Sequence, residues 1–404
     1  MRFSDLRKTK GETPVPEPEK QVRPVPVSKQ ETEKSPDAAV LPSSSFSPTD
    51  TPAPSNIPEP AKQPVGGSPK SRREARALSR APEVPFKELD SRAREVYTQV
   101  LNHAGAFLKS VDQPYTEKYE SSLAICGLII ETLKTSGVLL SYTSYSTAED
   151  YLRSHTANTT IMALALGLEA GLPDPGLQLL GFCAMAHDIG MTEYSSLYNR
   201  ADRLGKNEFS EMSLHAEAGV AKLDRILDLD YRIKERAKRI VLQTHERADG
   251  SGYPDRLSDE EMDPLAQFIS IADAYEAMTH PRAWRDAMNP PEAVKELVET
   301  EGRGFNARAV KALLSAVSIY PPGSLVALSS GEIARVIRVT RGFLSKPLVE
   351  ILLDSGFSQL NPRLADLFEH PLVSIERSVG FDEIEDRNPR YAARLEMARW
   401  WVEW

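Results

Sequence analysis

What most restricts the fold of this chain is a set of imidazole and carboxylate side chains standing where apolar ones belong. In "LQLLGFCAMAHDIG", His187 falls on the helical stripe of Leu177, Leu180 and Ala184, and Asp188 follows it at the end of the run. His155 shares a stripe with Leu152 and Met162, and His215 opens the stripe continued by Gly219 and Ile226. His245 follows Val241 by one turn, and Asp273 sits one turn after Ile269. The helical period turns all six inward. A single inward histidine is usually a satisfied core residue, but six buried polar groups are costly unless they share a partner. The common solution is for several helices to aim them at a metal. They recur about once every thirty residues, the length of a helix with its connection. This spacing predicts an all-α bundle in which each helix gives one or two ligands.

The punctuation between these residues agrees. From Phe86 to Leu133 the pattern is helical, with Val96, Val100, Phe107 and Leu108 in one segment and Leu123, Cys126, Ile130 and Leu133 in the next. Ser146 and Glu149 have capping-box spacing and would start the helix of His155, which ends near Gly171 and Pro173. Asp174, as a cap before Pro175, opens the helix that stops at Gly190. Helices are expected over Ser213 to Leu227, Asp230 to His245 and Asp263 to Met278, and Asn306 caps a last core helix to Ser318. Beyond it, "YPPGSLVALSSGEIARVIRV" and "KPLVEILLD" show β-branched alternation between turn residues, which predicts a small β extension. "RLEMARWWVEW" reads as a packed terminal helix.

Composition separates off the start of the chain. "TPVPEPEKQVRPVPVSK" and its continuation are rich in Pro, Ser and Glu and nearly lack aromatics, so they cannot bury enough surface to offset chain entropy. The expected organisation is a disordered Pro-rich tail over 1–84, a helical lead-in over 85–145, the metal-site bundle over 146–320, and the β extension with its terminal helix over 321–404. "MRFSDLRKTKGE" lacks the apolar core of a signal peptide, and "LAICGLIIETL" falls far short of the ~20 residues that span a bilayer, so a cytoplasmic protein without a membrane partner is expected. The net charge of -9 gives no support for a nucleic-acid polymer as partner. Cys126 and Cys183 lie in apolar patterns and read as buried thiols.

Imidazole and carboxylate without thiolate suit iron, manganese or zinc in a catalytic site. Asp188 is the natural bridge, because its two oxygens can hold two cations. Such a pair acidifies a water and stabilises the oxygens at phosphorus, so phosphoester hydrolysis is the favoured reaction class.

The ordered elements "HTAN", "AHDIG", "LHAEAG", "THERADGSGYP", "ADAYEAMTHPRAWR" and "IYPPGSLVALSSGE" resemble the HD-GYP branch of the HD superfamily of phosphohydrolases, over about Ser146 to Asp354. The resemblance implies an HD-type helical bundle that hydrolyses cyclic di-GMP to the linear dinucleotide, and on to GMP, with two divalent ions, iron or manganese. It implies metal ligation by His155, His187, Asp188, His215, His245 and Asp273, with His187 and Asp188 catalytic. It also implies that Arg282 and Arg285 contact substrate phosphate and that the loop of Gly252, Tyr253 and Pro254 shapes an open site for a bulky dinucleotide.

Three positions depart from the family pattern. Thr244 stands where the first of two paired histidines is usual, which leaves the second metal weakly held; Met191 replaces a lysine; and Tyr151 replaces a glutamate that supports a third metal in some members. The departures keep a second reading open, a non-catalytic member that binds cyclic di-GMP or a diguanylate cyclase domain. A phosphohydrolase for a different nucleotide is a third, and the oligomeric state is left open.

Overall fold

The computed structural model describes residues 85–110, 113, 118–144, 151–200, 202–282, 285–299 and 302–399. The proline-rich tail, the capping box at Ser146 and Glu149, and the last tryptophans lie outside the described residues.

The lead-in is two helices, α1 (Phe86–Ser110) and α2 (Lys118–Thr135). Asp228, distant in sequence, caps the second: its Oδ2 accepts from the backbone N–H of Tyr119 at 2.9 Å and of Glu120 at 3.1 Å. Next comes α3 (Tyr151–Glu169), buried on every side from Ser154 to Gly167. It is the axis of the helical bundle, packed by α1, by α4 (Asp174–Ala186) and by later helices. Glycines let α4 approach closely, since a Cβ on Gly181 would stand 2.5 Å from Cys126 Sγ. Asp174 is not the cap of α4 as its sequence suggests; Pro173 occupies that position and Asp174 is the first helical residue.

The helix expected over Ser213 to Leu227 is the shorter α6 (His215–Leu223), and an unexpected helix, α5 (Lys206–Ser213), precedes it. Then follow α7 (Tyr231–Leu242), α8 (Pro264–Thr279), α9 (Pro290–Glu299) and α10 (Ala307–Val317). The caps read from sequence are present: Asp230 accepts from Arg232 and Ile233, Asp263 from Leu265, and Asn306 from Arg308 and Ala309. Helices α8 and α10 complete the wall around α3. No helix among the described residues is long and apolar enough to cross a membrane.

The all-α expectation needs correction. Strands β1 (Leu325–Leu328), β2 (Ile333–Thr340), β3 (Phe343–Leu353), β4 (Gln359–Asp366) and β5 (Ile375–Val379) form an antiparallel sheet of order β4-β3-β2-β1-β5. It is a layer with cores on both faces, more than a small extension. Val326, Leu328, Ala334, Val336, Val349 and Ile351 cluster together, whereas Leu325, Ala327, Ile333 and Val379 pack with Ile384 and Tyr391. The latter two belong to α11 (Phe381–Arg387) and α12 (Pro389–Arg399). The protein is thus mostly helical, with a five-stranded sheet added after the bundle.

Candidate metal centre

The six inward groups meet. His155 projects from the second turn of α3, and His187 and Asp188 stand where α4 ends and a 3-10 turn (Ile189–Glu193) begins. His215 is the first residue of α6, His245 follows α7, and Asp273 lies on α8. Gly190 makes the meeting possible: a Cβ there would lie 1.9 Å from the His215 carbonyl oxygen, so only glycine lets the turn touch α6.

Hydrogen bonds on the far side of two of the rings fix their tautomers. His187 Nδ1 donates to the Ala184 carbonyl at 2.7 Å, and His215 Nδ1 to that of Met212 at 2.7 Å. A carbonyl can only accept, so both Nε2 atoms carry lone pairs into the centre. His155 Nδ1 lies 2.5 Å from the Glu276 carboxylate, which turns its Nε2 inward too. His187 Nε2 approaches His155 Nε2 at 3.2 Å, and His215 Nε2 approaches His245 Nε2 at 2.8 Å.

Asp188 sits between these imidazole pairs. Its Oδ1 is 3.3 Å from Nε2 of both His215 and His245, and its Oδ2 is 3.4 Å from His155 Nε2 and 3.6 Å from His187 Nε2. Oδ1 is buried with no hydrogen-bond partner. Lone pairs of nitrogen and oxygen converging in this way need a cation, and two groups could hold one: His155, His187 and Asp188, and Asp188, His215 and His245. Asp273 reaches both, with Oδ1 3.3 Å from His155 Nε2 and Oδ2 3.6 Å from His245 Nδ1.

The carboxylates of the centre set the charge of its imidazoles. Burial alone would discharge His155 and His245, yet carboxylates outweigh it: Glu276, Asp188 and Asp273 raise His155 well above the usual range, and Asp188 and Asp273 hold His245 at about 9. His187 is lowered by its burial. Burial works to raise Asp188 and Asp273, but the surrounding imidazoles pull both below the ordinary carboxylate value.

The loop from Gln243 to Leu257 covers the second group. Glu246 is fully buried; its Oε1 accepts from the backbone N–H of Asp255 at 2.7 Å and of Arg256 at 3.0 Å, and its Oε2 from that of Leu257 at 3.0 Å. Gly252 lies against the backbone of Glu246, where a Cβ would stand 2.4 Å from the Glu246 Cα. The Tyr253–Pro254 peptide is cis. Tyr253 N–H donates to the His245 carbonyl at 3.3 Å, and its ring stacks on that of His245 with centroids 5.1 Å apart and planes 9° apart. Phe209 of α5 meets the Tyr253 ring edge-on at 5.8 Å.

On the other side, the Arg282 guanidinium lies 3.8 Å from the centre of the Tyr151 ring, which stacks on His155 at 5.3 Å. Burial, then the neighbouring Arg285, lowers the Arg282 pKa to about 9. Arg285 donates to the Ala277 carbonyl at the end of α8. Thr244 is buried with its hydroxyl donating to the Val241 carbonyl at 2.8 Å, turned to its own helix. Met191 packs in the apolar core.

Sequence reasoning missed the residues behind the candidate ligands. Glu276 also accepts from Asn158 Nδ2 at 3.3 Å, and Asn158 Oδ1 accepts from the Tyr97 hydroxyl at 2.9 Å. Asn158 follows His155 by three residues and Glu276 follows Asp273 by three. That spacing puts each beside a ligand on the same helix face, a signal that was available.

The part of the chain that carries this centre is similar to known proteins. Residues 145–308 match the HD domain family. The chain is 30% identical over 261 residues to cyclic di-GMP phosphodiesterase PA4108 of Pseudomonas aeruginosa, covering 64% of this chain and 61% of that protein. It is 26% identical to cyclic di-GMP phosphodiesterase PdeB of Borreliella burgdorferi, covering 50% and 52%. It is 27% identical to 3'3'-cGAMP-specific phosphodiesterase 2 of Vibrio cholerae, covering 51% and 40%. The chain thus spans about half of the length of these curated relatives.

Proposed function

We propose that this chain, which matches the HD domain family over residues 145–308, is an HD-GYP-type metal-dependent phosphodiesterase that hydrolyses cyclic di-GMP to the linear dinucleotide and then toward GMP. The observation that carries this reading is Asp188, each of whose oxygens faces a pair of imidazole nitrogens. His155, His187, Asp188 and Asp273 would hold the first ion, and Asp188, His215 and His245 the second, both iron or manganese. Bound there, the two cations supply Lewis acidity that acidifies a water and neutralises charge at phosphorus.

The chain's own groups do the rest. Asp188 fixes the separation of the two ligand sets, and His187 is held rigid through Ala184. Arg282 and Arg285 receive the phosphate, a task suited to the guanidinium fork. Gly252 and Tyr253 shape the entrance beside His215 and His245. The second set has three ligands, because the Thr244 hydroxyl is engaged by Val241. With Met191 buried among apolar side chains, this supports a second reading, binding of cyclic di-GMP without turnover. The relative specific for 3'3'-cGAMP brings a different cyclic dinucleotide into the same test.

The experiment is anaerobic purification, elemental analysis and turnover on both nucleotides. The expected result is at least one iron or manganese per chain, a linear product from cyclic di-GMP, and loss of metal in Asp188→Ala. Metal binding and nucleotide affinity without product would establish the binding reading, and a folded wild type that takes up no metal would overturn both.

A further inference from the structure

We infer that Tyr151 is a positioning residue: its ring, stacked on His155, is the platform that seats the Arg282 guanidinium beside the metal centre. The inference rests on the proposed role of Arg282 as a phosphate-binding group. Three observations support it. The first is distance: the guanidinium carbon stands 3.8 Å from the ring centre, a cation resting on an aromatic face. The second is the ring's own support, parallel to His155 within 23° at 5.3 Å and flanked by Tyr198 at 6.3 Å. The third is what Arg282 lacks: among the described residues no carboxylate lies within ion-pair distance of it, and its charged neighbour is another arginine.

A half-buried guanidinium without an acidic partner is costly to keep in place, and side-chain entropy would favour its swinging into water. The Tyr151 face offsets part of that cost without neutralising the charge, which a carboxylate at the same position would do. The cation therefore stays available to an anion. Because the platform also touches His155, the position of the guanidinium is tied to the first metal-ligand set. A phosphate held by Arg282 then stands in a fixed relation to that set.

The test measures, by calorimetry, the affinity of the metal-loaded full chain for a phosphorothioate analogue of cyclic di-GMP that is hydrolysed slowly. Tyr151→Leu keeps the apolar bulk and removes the aromatic face; it should weaken binding about tenfold, the scale of one partly desolvated cation–π contact. Tyr151→Phe keeps the face and should stay within about threefold of wild type. Arg282→Gln should weaken binding at least as much as Tyr151→Leu, and the double variant should be no weaker than Arg282→Gln alone, since the ring acts through the arginine. Additive losses, or full affinity in Tyr151→Leu while Arg282→Gln is impaired, would overturn the inference and leave the reading of Arg282 intact. Equal affinity in wild type and Arg282→Gln, or no binding by wild type, would overturn both. Metal content and melting temperature of Tyr151→Leu, expected to stay close to those of wild type, separate a positioning role from loss of fold.

Discussion

Glu246→Gln tests whether a buried charge holds the loop over the second ligand set. In the wild type one carboxylate oxygen accepts two backbone N–H groups, at 2.7 and 3.0 Å, and the other accepts a third at 3.0 Å. Glutamine retains one acceptor oxygen, so two bonds survive as neutral ones. A hydrogen bond to a charged group contributes about 1.5–3 kcal/mol and a neutral one about 0.5–1.5, so the weakening costs about 2 kcal/mol. The new NH2 then faces the Leu257 N–H, donor against donor, and a stranded, half-buried donor costs about 1 kcal/mol more. A total of about 3 kcal/mol corresponds to roughly a hundredfold in an opening equilibrium. The loop can open without global unfolding, so the readout is amide hydrogen exchange at Asp255, Arg256 and Leu257, expected to quicken by about that factor. Metal in the His215 and His245 set should fall with it, because Tyr253 loses its seat on His245, while the His155 set keeps its metal. Exchange that changes less than tenfold with unchanged metal content would show that Glu246 does not hold the loop.

Gly190→Ala should cost about 3 kcal/mol in urea unfolding, because the new Cβ must displace the His215 backbone 1.9 Å away; a loss under 1 kcal/mol would mean that the turn is free to shift. Thr244→Ala removes a hydroxyl bound to Val241, so metal content measured by mass spectrometry should stay the same and stability should fall by about 1 kcal/mol; shed metal would make the hydroxyl a ligand. For the chelated protein, His245 is raised from 6.5 to about 9, so its contribution is fully present below 6.5 and is lost as pH rises through 9. The melting temperature of the chelated protein should therefore fall between pH 7 and 9.5, a change of up to about 3 kcal/mol. Metal affinity should rise over the same interval as the competing proton leaves, and a flat affinity profile would contradict a protonated ligand.

The parts of this molecule that sequence reveals are those with a local pattern. Asp230, Asp263 and Asn306 announce their helices because a cap bonds only two or three residues ahead. The six candidate ligands are visible because the helical period betrays polar groups on an apolar face. Helix α5 was missed because none of its residues is buried, so it leaves no stripe. The apparent cap at Asp174 misled because Pro173 takes the extended conformation that a cap requires. Glu246 escaped for a different reason: its partners are backbone N–H groups, and any sequence in the loop supplies those. The double-faced sheet was undercounted because β4 and β5 present mostly polar residues.

The burial of α3 on every side sets an order of events during synthesis. His155 leaves the ribosome long before α10, one of the helices that wall it in, and the intervening stretch of roughly 160 residues takes about 8–30 s to make at ~5–20 residues per second. Through that time the nascent chain carries an unfinished, solvent-open set of imidazoles. Metal captured then would meet His155, His187 and Asp188 before Asp273 has been added. Selection among the divalent metals that the proposed centre could take can rest on the complete geometry only after the chain has passed Val317. The buried axis thus makes the choice of metal a matter of timing as well as of ligands.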